Sequence, residues 1–266
     1  MPVDDRKSPK RSGTQSIERV VSMLRIVASR GRNGMRLGEV TAASGLPTST
    51  CFRMLQRLES EGLFERHPVT RKYFLGPLLH ELGLLVRPRY QLVDRCEQAL
   101  AELADHTQDT VYLSERHGLE AVCSARALGS YPIKALTLDV GVRRPLGVGA
   151  GGLAILCSLP EAEAEEIIEA NAQRYAKLST LDPGRVRAAV LEGRARGFAF
   201  LDSPVIPGTA AVGVAFPADD PIAAISVAAI ASRMDEARRV EVAAELQRQA
   251  RRLTRALASG ALDPAR

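Results

Sequence analysis

Between Ile17 and Leu58, apolar residues recur three and four positions apart in segments that glycines cut short, and after Gly62 the period falls to two. Helices this short gain stability only by packing on one another, so the first part of the chain must fold as a small helical cluster followed by a hairpin. Ser16 is expected to cap the first helix, with Ile17, Val20, Val21, Leu24 and Val27 on its apolar face and Gly31, Asn33 and Gly34 at its end. Leu37, Val40 and Thr41 mark a second helix that Gly45 stops. Pro47 favours an immediate restart, and over 48–61 the spacing buries Phe52, Leu55 and Leu58. The turn Ser44-Gly45-Leu46 between two short helices is a helix-turn-helix pattern in which Gly45 supplies the positive φ. Leu63-Phe64-Glu65-Arg66 and Lys72-Tyr73-Phe74-Leu75 then form the hairpin, with His67 at an exposed tip.

Charge sharpens this picture. Residues 1–87 hold 15 Lys and Arg against 8 Asp and Glu, and residues 88–266 hold 21 against 23, so the first third carries all of the net +5 and more. A basic small domain beside a near-neutral larger one points to a polyanion for the first and a different partner for the second. Thr48, Ser49, Thr50 and Arg53 lie near the N-terminus of the second motif helix, away from the core. Short hydroxyl side chains reach phosphates and base edges, helix N-terminal amides favour phosphate, and an arginine binds guanine bidentately. Arg66, Arg71 and Lys72 put three cations on the hairpin, where a wing touches the DNA backbone or minor groove. The open alternative is a helical domain that only packs or dimerises, which would make the chain a small-molecule sensor with a protein-contact module.

Several classes fall away. The longest apolar run, residues 222–231, is too short for a membrane span, which needs about 20 residues. Residues 1–13 are polar and basic and are expected to be an arm, not a leader. Cys51, Cys96, Cys123 and Cys157 have no metal or disulfide spacing, as expected for reduced thiols in a cytoplasmic protein. Cys123 with His117 is the one candidate nucleophile pair, and both fit better as a strand core residue and a turn residue. Glu163, Glu165, Glu166 and Glu169 form a solvated helix face. No enzyme activity, cofactor or metal is expected.

In the second part, Leu78, Leu79, Leu82, Leu85 and Val86 form a helical stripe ending near Pro88, and Leu92, Val93, Cys96, Leu100 and Leu103 form another. Strands are expected over 110–114, 120–125, 134–138, 210–216 and 222–230, and helices over 161–175, 183–197 and 233–257. The class is α+β. Gly147, Gly149 and Gly152 fit G-x-G-x-x-G, but Arg143-Arg144-Pro145 stands where the buried strand of a dinucleotide fold belongs, and no acidic residue follows in a strand context. Glycines before a helix start crowd backbone amides into a small anion seat, which suits a carboxylate. Tight-turn packing alone is the other explanation.

Ser16-Ile17-Glu18-Arg19, the stretch from Ser44 through Thr50, Arg53-Met54-Leu55, Glu61-Gly62-Leu63 and Tyr73-Phe74-Leu75-Gly76 together resemble the winged helix-turn-helix of IclR-type bacterial transcription regulators. One departure is Thr48, where the family often has Lys. The resemblance implies a DNA-binding domain over 14–76, a linker helix over 77–90 that helps build a homodimer or dimer of dimers, and a GAF-like effector domain over 91–260 with an antiparallel sheet and flanking helices. It also implies a double-stranded DNA operator as partner and a small-molecule effector. Carried over motif by motif, the effector pocket takes Ala150, Gly151 and Gly152 at the helix start, Asp202, Ala211 where many members have Cys, Ser226 and Ala228. Leu136, Leu146, Val212 and Val214 are its apolar wall candidates. A pocket less polar than the family pattern implies a carboxylate with an apolar or aromatic body.

Overall fold

The computed structural model describes residues 14–86, 91–178, 181–202 and 206–259. The expected arm (1–13) and the last part of the expected linker (87–90) lie outside the described residues. The chain divides between Val86 and Arg87 into two compact units.

In the first unit, α1 (Gln15–Ala28), α2 (Leu37–Ser44) and α3 (Thr48–Ser60) enclose a core of Met23, Val27, Met35, Val40, Cys51, Leu55, Leu58, Phe64 and Tyr73. Thr14 occupies the N-cap of α1, so Ser16 lies inside the helix and caps nothing. Ile17 and Val21 stay exposed, and Met23 takes their expected place in the core. On α3, Pro47 is the N-cap and not the first helical residue. Cys51, not Phe52, joins Leu55 and Leu58 on the buried face, because positions four and three apart share a face and Phe52 sits about 100° round. Gly45 ends α2 in the left-handed region at φ 65°, with open space around it, so the turn requires glycine for its backbone and not for room. β1 (Phe64–Arg66) and β2 (Tyr73–Leu75) pair antiparallel, and Met35 adds a bridge to Tyr73. α4 (Pro77–Val86) follows with no buried residue; Leu82, Leu84, Leu85 and Val86 are all exposed.

The second unit is built on a six-stranded antiparallel sheet in the order β5-β4-β3-β8-β7-β6. Its strands are β3 (Thr110–His117), β4 (Glu120–Leu128), β5 (Arg143–Pro145), β6 (Ala199–Asp202), β7 (Thr209–Phe216) and β8 (Ala223–Ile230). One face packs on α5 (Leu92–Thr107) and α10 (Glu236–Ser259) through Val111, Leu113, Val212, Ile225 and Val227. The other face carries α6 (Ala150–Ser158), with α7 (Glu161–Ala170) and α9 (Pro183–Arg196) in the same core cluster around Leu146, Leu153 and Ile155.

Four expectations are corrected here. The expected single helix over 161–175 breaks at Asn171, which is buried, ends α7 and donates from Nδ2 to Leu119 O at 2.8 Å; α8 (Ala172–Leu178) then restarts. The long C-terminal helix begins at Glu236, after a 3₁₀ turn at Ala231–Arg233. β5 and β6 are edge strands that the expected set of strands does not include. The expected strand 134–138 is irregular coil, because its polar backbone groups are claimed by side chains. Tyr112 Oη donates to Ala135 O at 2.8 Å and accepts from Thr137 N at 3.0 Å, Arg144 donates to Thr137 O at 2.6 Å, and Arg126 donates to Leu138 O at 3.2 Å.

Candidate functional site

The first unit presents α3 by its N-terminus. Pro47 provides no side-chain cap, so the first amides of the helix are left for an outside acceptor. Thr48, Ser49 and Arg53 are exposed and Thr50 is half-buried, and among the described residues their side chains have no hydrogen-bond partner. Further along the same helix Gln56 and Arg57 are exposed as well, Arg57 paired with Glu61. On the hairpin the three cations differ. Arg66 lies over the Tyr73 ring at 5.2 Å, and Lys72 Nζ donates to Asn33 O at 2.9 Å. Arg71, exposed at φ 57° at the hairpin turn, has no such contact among the described residues. His67 is exposed, and its Nδ1 accepts from the amides of Val69 and Thr70 at 3.2 Å, which fixes the turn.

The second unit holds a cavity of about 50 Å³ between α6, the sheet and the coil over 131–141. Ala150, Gly151 and Gly152 form one wall at the start of α6, where Gly149 (φ 99°) occupies the N-cap without a side-chain cap. Ser114 and Ser226 form the floor; both are buried, and among the described residues neither hydroxyl has a side-chain hydrogen bond. The three elements converge closely: a Cβ on Gly151 would lie 2.7 Å from Ser114 Oγ and 3.7 Å from Ser226 Oγ. Val148, Leu138, Leu201, Ala211 and Ala228 supply apolar walls, Thr137 and Leu138 come from the coil, and Arg144 supplies a cation. A more open cavity of about 460 Å³ lies beside α6, α9 and α10. Most of its polar groups are already engaged: Ser158 and Thr254 bond helix carbonyls, and Arg194 bonds the carbonyls of Cys157 and Leu159. The smaller cavity is therefore the one with recognition chemistry to spare.

Comparison with known proteins decides between module types. The model of the bacterial transcriptional regulator IclR C-terminal domain matches residues 86–255, and that of the IclR helix-turn-helix domain matches residues 16–68. The chain belongs to the IclR family. Among its curated IclR-type relatives, the HTH-type transcriptional regulator XynR of Escherichia coli is 26% identical over 91% of this chain and 97% of its own length. The regulator BhcR of Paracoccus denitrificans is 25% identical over 85% and 81%. The same fold is seen in an IclR regulator from Alicyclobacillus acidocaldarius (TM-score 0.72, 22% identity, 90% of this chain and 97% of that one). It recurs in an IclR homolog from Microbacterium hydrocarbonoxydans complexed with 4-hydroxybenzoate (TM-score 0.71, 19% identity, 92% and 100%). This IclR-family chain is a ligand-responsive, DNA-binding transcriptional regulator and not an enzyme. Cys123 and His117 stand three rungs apart on the β3–β4 ladder, roughly 10 Å, and burial pushes the Cys123 thiol up to about 11. No helix among the described residues is long and apolar enough to cross a membrane.

Around the cavity of this IclR-family protein, the structure brings together Ala150, Gly151, Gly152, Ala211, Ser226 and Ala228. It does not bring Leu136, Leu146 or Asp202 there. Leu136 is 52% exposed on the coil, Leu146 is fully buried in the core behind α6, and Asp202 is exposed at the end of β6. Val212 and Val214 pack on the opposite face of the sheet, toward α5 and α10. Sequence reasoning passed over Ser114, Tyr112 and Arg144. Ser114 sits in an expected strand without any local mark, and Arg144 was set aside with Arg143 as an interruption.

Proposed function

We propose that the protein is a homodimeric or dimer-of-dimers regulator of the cytoplasm that binds a double-stranded operator through α3 and answers to a small organic carboxylate held in the cavity beside α6. The DNA half is supported by the uncapped, exposed start of α3 with its row of hydroxyls and Arg53. Thr48, Ser49 and Thr50 contact phosphate or base edges, Arg53 reads a base, and of the hairpin cations Arg71, which has no such intrachain contact among the described residues, reaches the duplex while Arg66 and Lys72 steady the wing. The roles assigned along the chain are DNA binding over 14–76, a linker over 77–90 and effector binding over 91–260. The exposed leucines of α4 support assembly, since an apolar helix face of this kind needs a partner.

The observation that carries the ligand half is the convergence of two buried hydroxyls, Ser114 and Ser226, unengaged among the described residues, on a glycine-lined helix start. These donors suit a carboxylate oxygen, and Val148, Leu201, Ala211 and Ala228 suit an apolar body. At about 50 Å³ the cavity has room for a few waters, so a larger acid must displace the coil that lines it, whose carbonyls at Ala135 and Thr137 are held by the side chains of Tyr112 and Arg144. Ligand binding thus moves a segment and biases the dimer toward one arrangement.

A gel shift on the DNA upstream of the protein's own gene, with and without candidate acids, tests the whole proposal: a band that forms and responds to none of them removes the ligand half, and no band removes the DNA half. Arg53→Ala is expected to weaken binding to the operator by about 1–3 kcal/mol and to leave binding to random DNA nearly unchanged. Equal weakening on both would assign Arg53 to phosphate.

A further inference from the structure

We infer that Arg144 reads the charge of the ligand, so that this cavity selects a carboxylate over the uncharged amide of the same skeleton. The inference rests on the cavity being the effector site. Arginines around this edge of the sheet are paired with acids: Arg116 with Glu163, Arg126 with Asp139, and Arg143 and Arg174 both with Glu120. Arg144 is not. Among the described residues no carboxylate lies within ion-pair range of it, and its side chain makes one hydrogen bond, from Nη2 to the neutral carbonyl of Thr137 at 2.6 Å.

A half-buried guanidinium with no counter-charge is costly, and burial pulls its pKa below the ordinary arginine range while leaving it a cation. The cavity wall has no acidic side chain among the described residues, and its other polar groups include the hydroxyls of Ser114 and Ser226 and the α6 amides. Those neutral donors can donate to an amide oxygen as well as to a carboxylate oxygen, so by themselves they do not exclude the amide. Among the described residues Arg144 is the one formal charge on the wall, and the bond to Thr137 leaves most of its five N–H donors for a planar, bidentate acceptor. The adjacent residue, Arg143, is spent on Glu120 and has no such role.

The full-length protein is titrated by calorimetry with acid and amide pairs: acetate and acetamide, pyruvate and pyruvamide, benzoate and benzamide. At least one acid is expected to bind wild-type protein about tenfold or more tighter than its amide, a difference that Arg144→Gln abolishes and Arg144→Lys partly restores. Ala211→Phe, which fills the cavity, is expected to remove binding of acid and amide alike, and melting curves confirm that each variant folds. If Arg144→Gln keeps the acid preference while Ala211→Phe loses binding, the cavity stands as the ligand site and Arg144 is not its reader. If Ala211→Phe binds the acid as wild type does, the site itself is wrong. If no acid in the set binds wild-type protein better than its amide, the inference is overturned as well.

Discussion

Leu55→Ala is expected to abolish operator binding while leaving the response to ligand intact. Leu55 is fully buried at the centre of the first unit's core, against Met23, Val40, Phe64 and Tyr73. Truncating a buried leucine costs about 2–5 kcal/mol, from lost transfer energy and the cavity left behind. A domain of this size buries a modest share of its surface and sits toward the low end of the usual 5–15 kcal/mol stability, so that cost consumes much of what holds it folded. The effect falls on DNA binding because α3 is one rigid element: Cys51, Leu55 and Leu58 point inward on the same helix that turns Ser49 and Arg53 outward. The second unit has separate cores, so its melting and its ligand-dependent shift should stay as in wild type. Calorimetry with and without ligand, beside a gel shift, measures both. A variant that still binds the operator at wild-type affinity at the growth temperature would show that Leu55 does not support the reader helix. Arg53→Ala is the counterpart: it should lose operator affinity with no change in melting.

The first unit was legible because its signals are local. Gly45 must adopt a positive φ wherever the surrounding helices lie, and the spacing of Val40, Leu55 and Leu58 already names a buried face. Much of the cavity depends on information a short window does not hold. In Lys134-Ala135-Leu136-Thr137-Leu138 two leucines flank a threonine as they would in a strand, yet the carbonyls of Ala135, Thr137 and Leu138 answer to Tyr112, Arg144 and Arg126, residues distant in sequence or separated by a turn. Arg143 and Arg144 look alike in the sequence and part company only where one reaches Glu120 and the other reaches the cavity. One error was avoidable. Ala211 and Val212 are successive residues of β7, and successive strand residues face opposite sides, so both cannot line one cavity. Applying that parity to Ala211, Ser226 and Ala228 would have placed Val212 and Val214 in the core toward α10. The break at Asn171 had no local mark, since asparagine within a helical window becomes a terminator only when a partner such as Leu119 O is there to claim its side chain.

Gly213→Val is expected to do to the ligand unit what Leu55→Ala does to the reader. Gly213 lies in β7, paired with Ser226 on one side and Ala199 on the other. A Cβ at this position would lie 2.4 Å from the carbonyl oxygen of Ala150, 2.8 Å from its carbon and 3.3 Å from the amide nitrogen of Gly151. These are backbone atoms at the first turn of α6, so no rotamer change relieves the clash; the helix start must lift from the sheet. Overpacking of this kind costs about 1–3 kcal/mol and sometimes more, and valine against backbone at this distance belongs at the upper end. The lift also separates Gly151 and Gly152 from Ser114 and Ser226, which dismantles the donor set proposed for a carboxylate. The variant should therefore melt lower in its second unit and lose the ligand-dependent shift, while the isolated binding of random DNA, a property of the first unit, persists. Gly213→Ala should fall between the two, because the same Cβ clash is present without the added methyl groups. A valine variant that melts and binds acid as wild type does would mean that α6 does not rest on β7 at this point, and the closeness of helix start and strand that gives the cavity its donors would be lost with it.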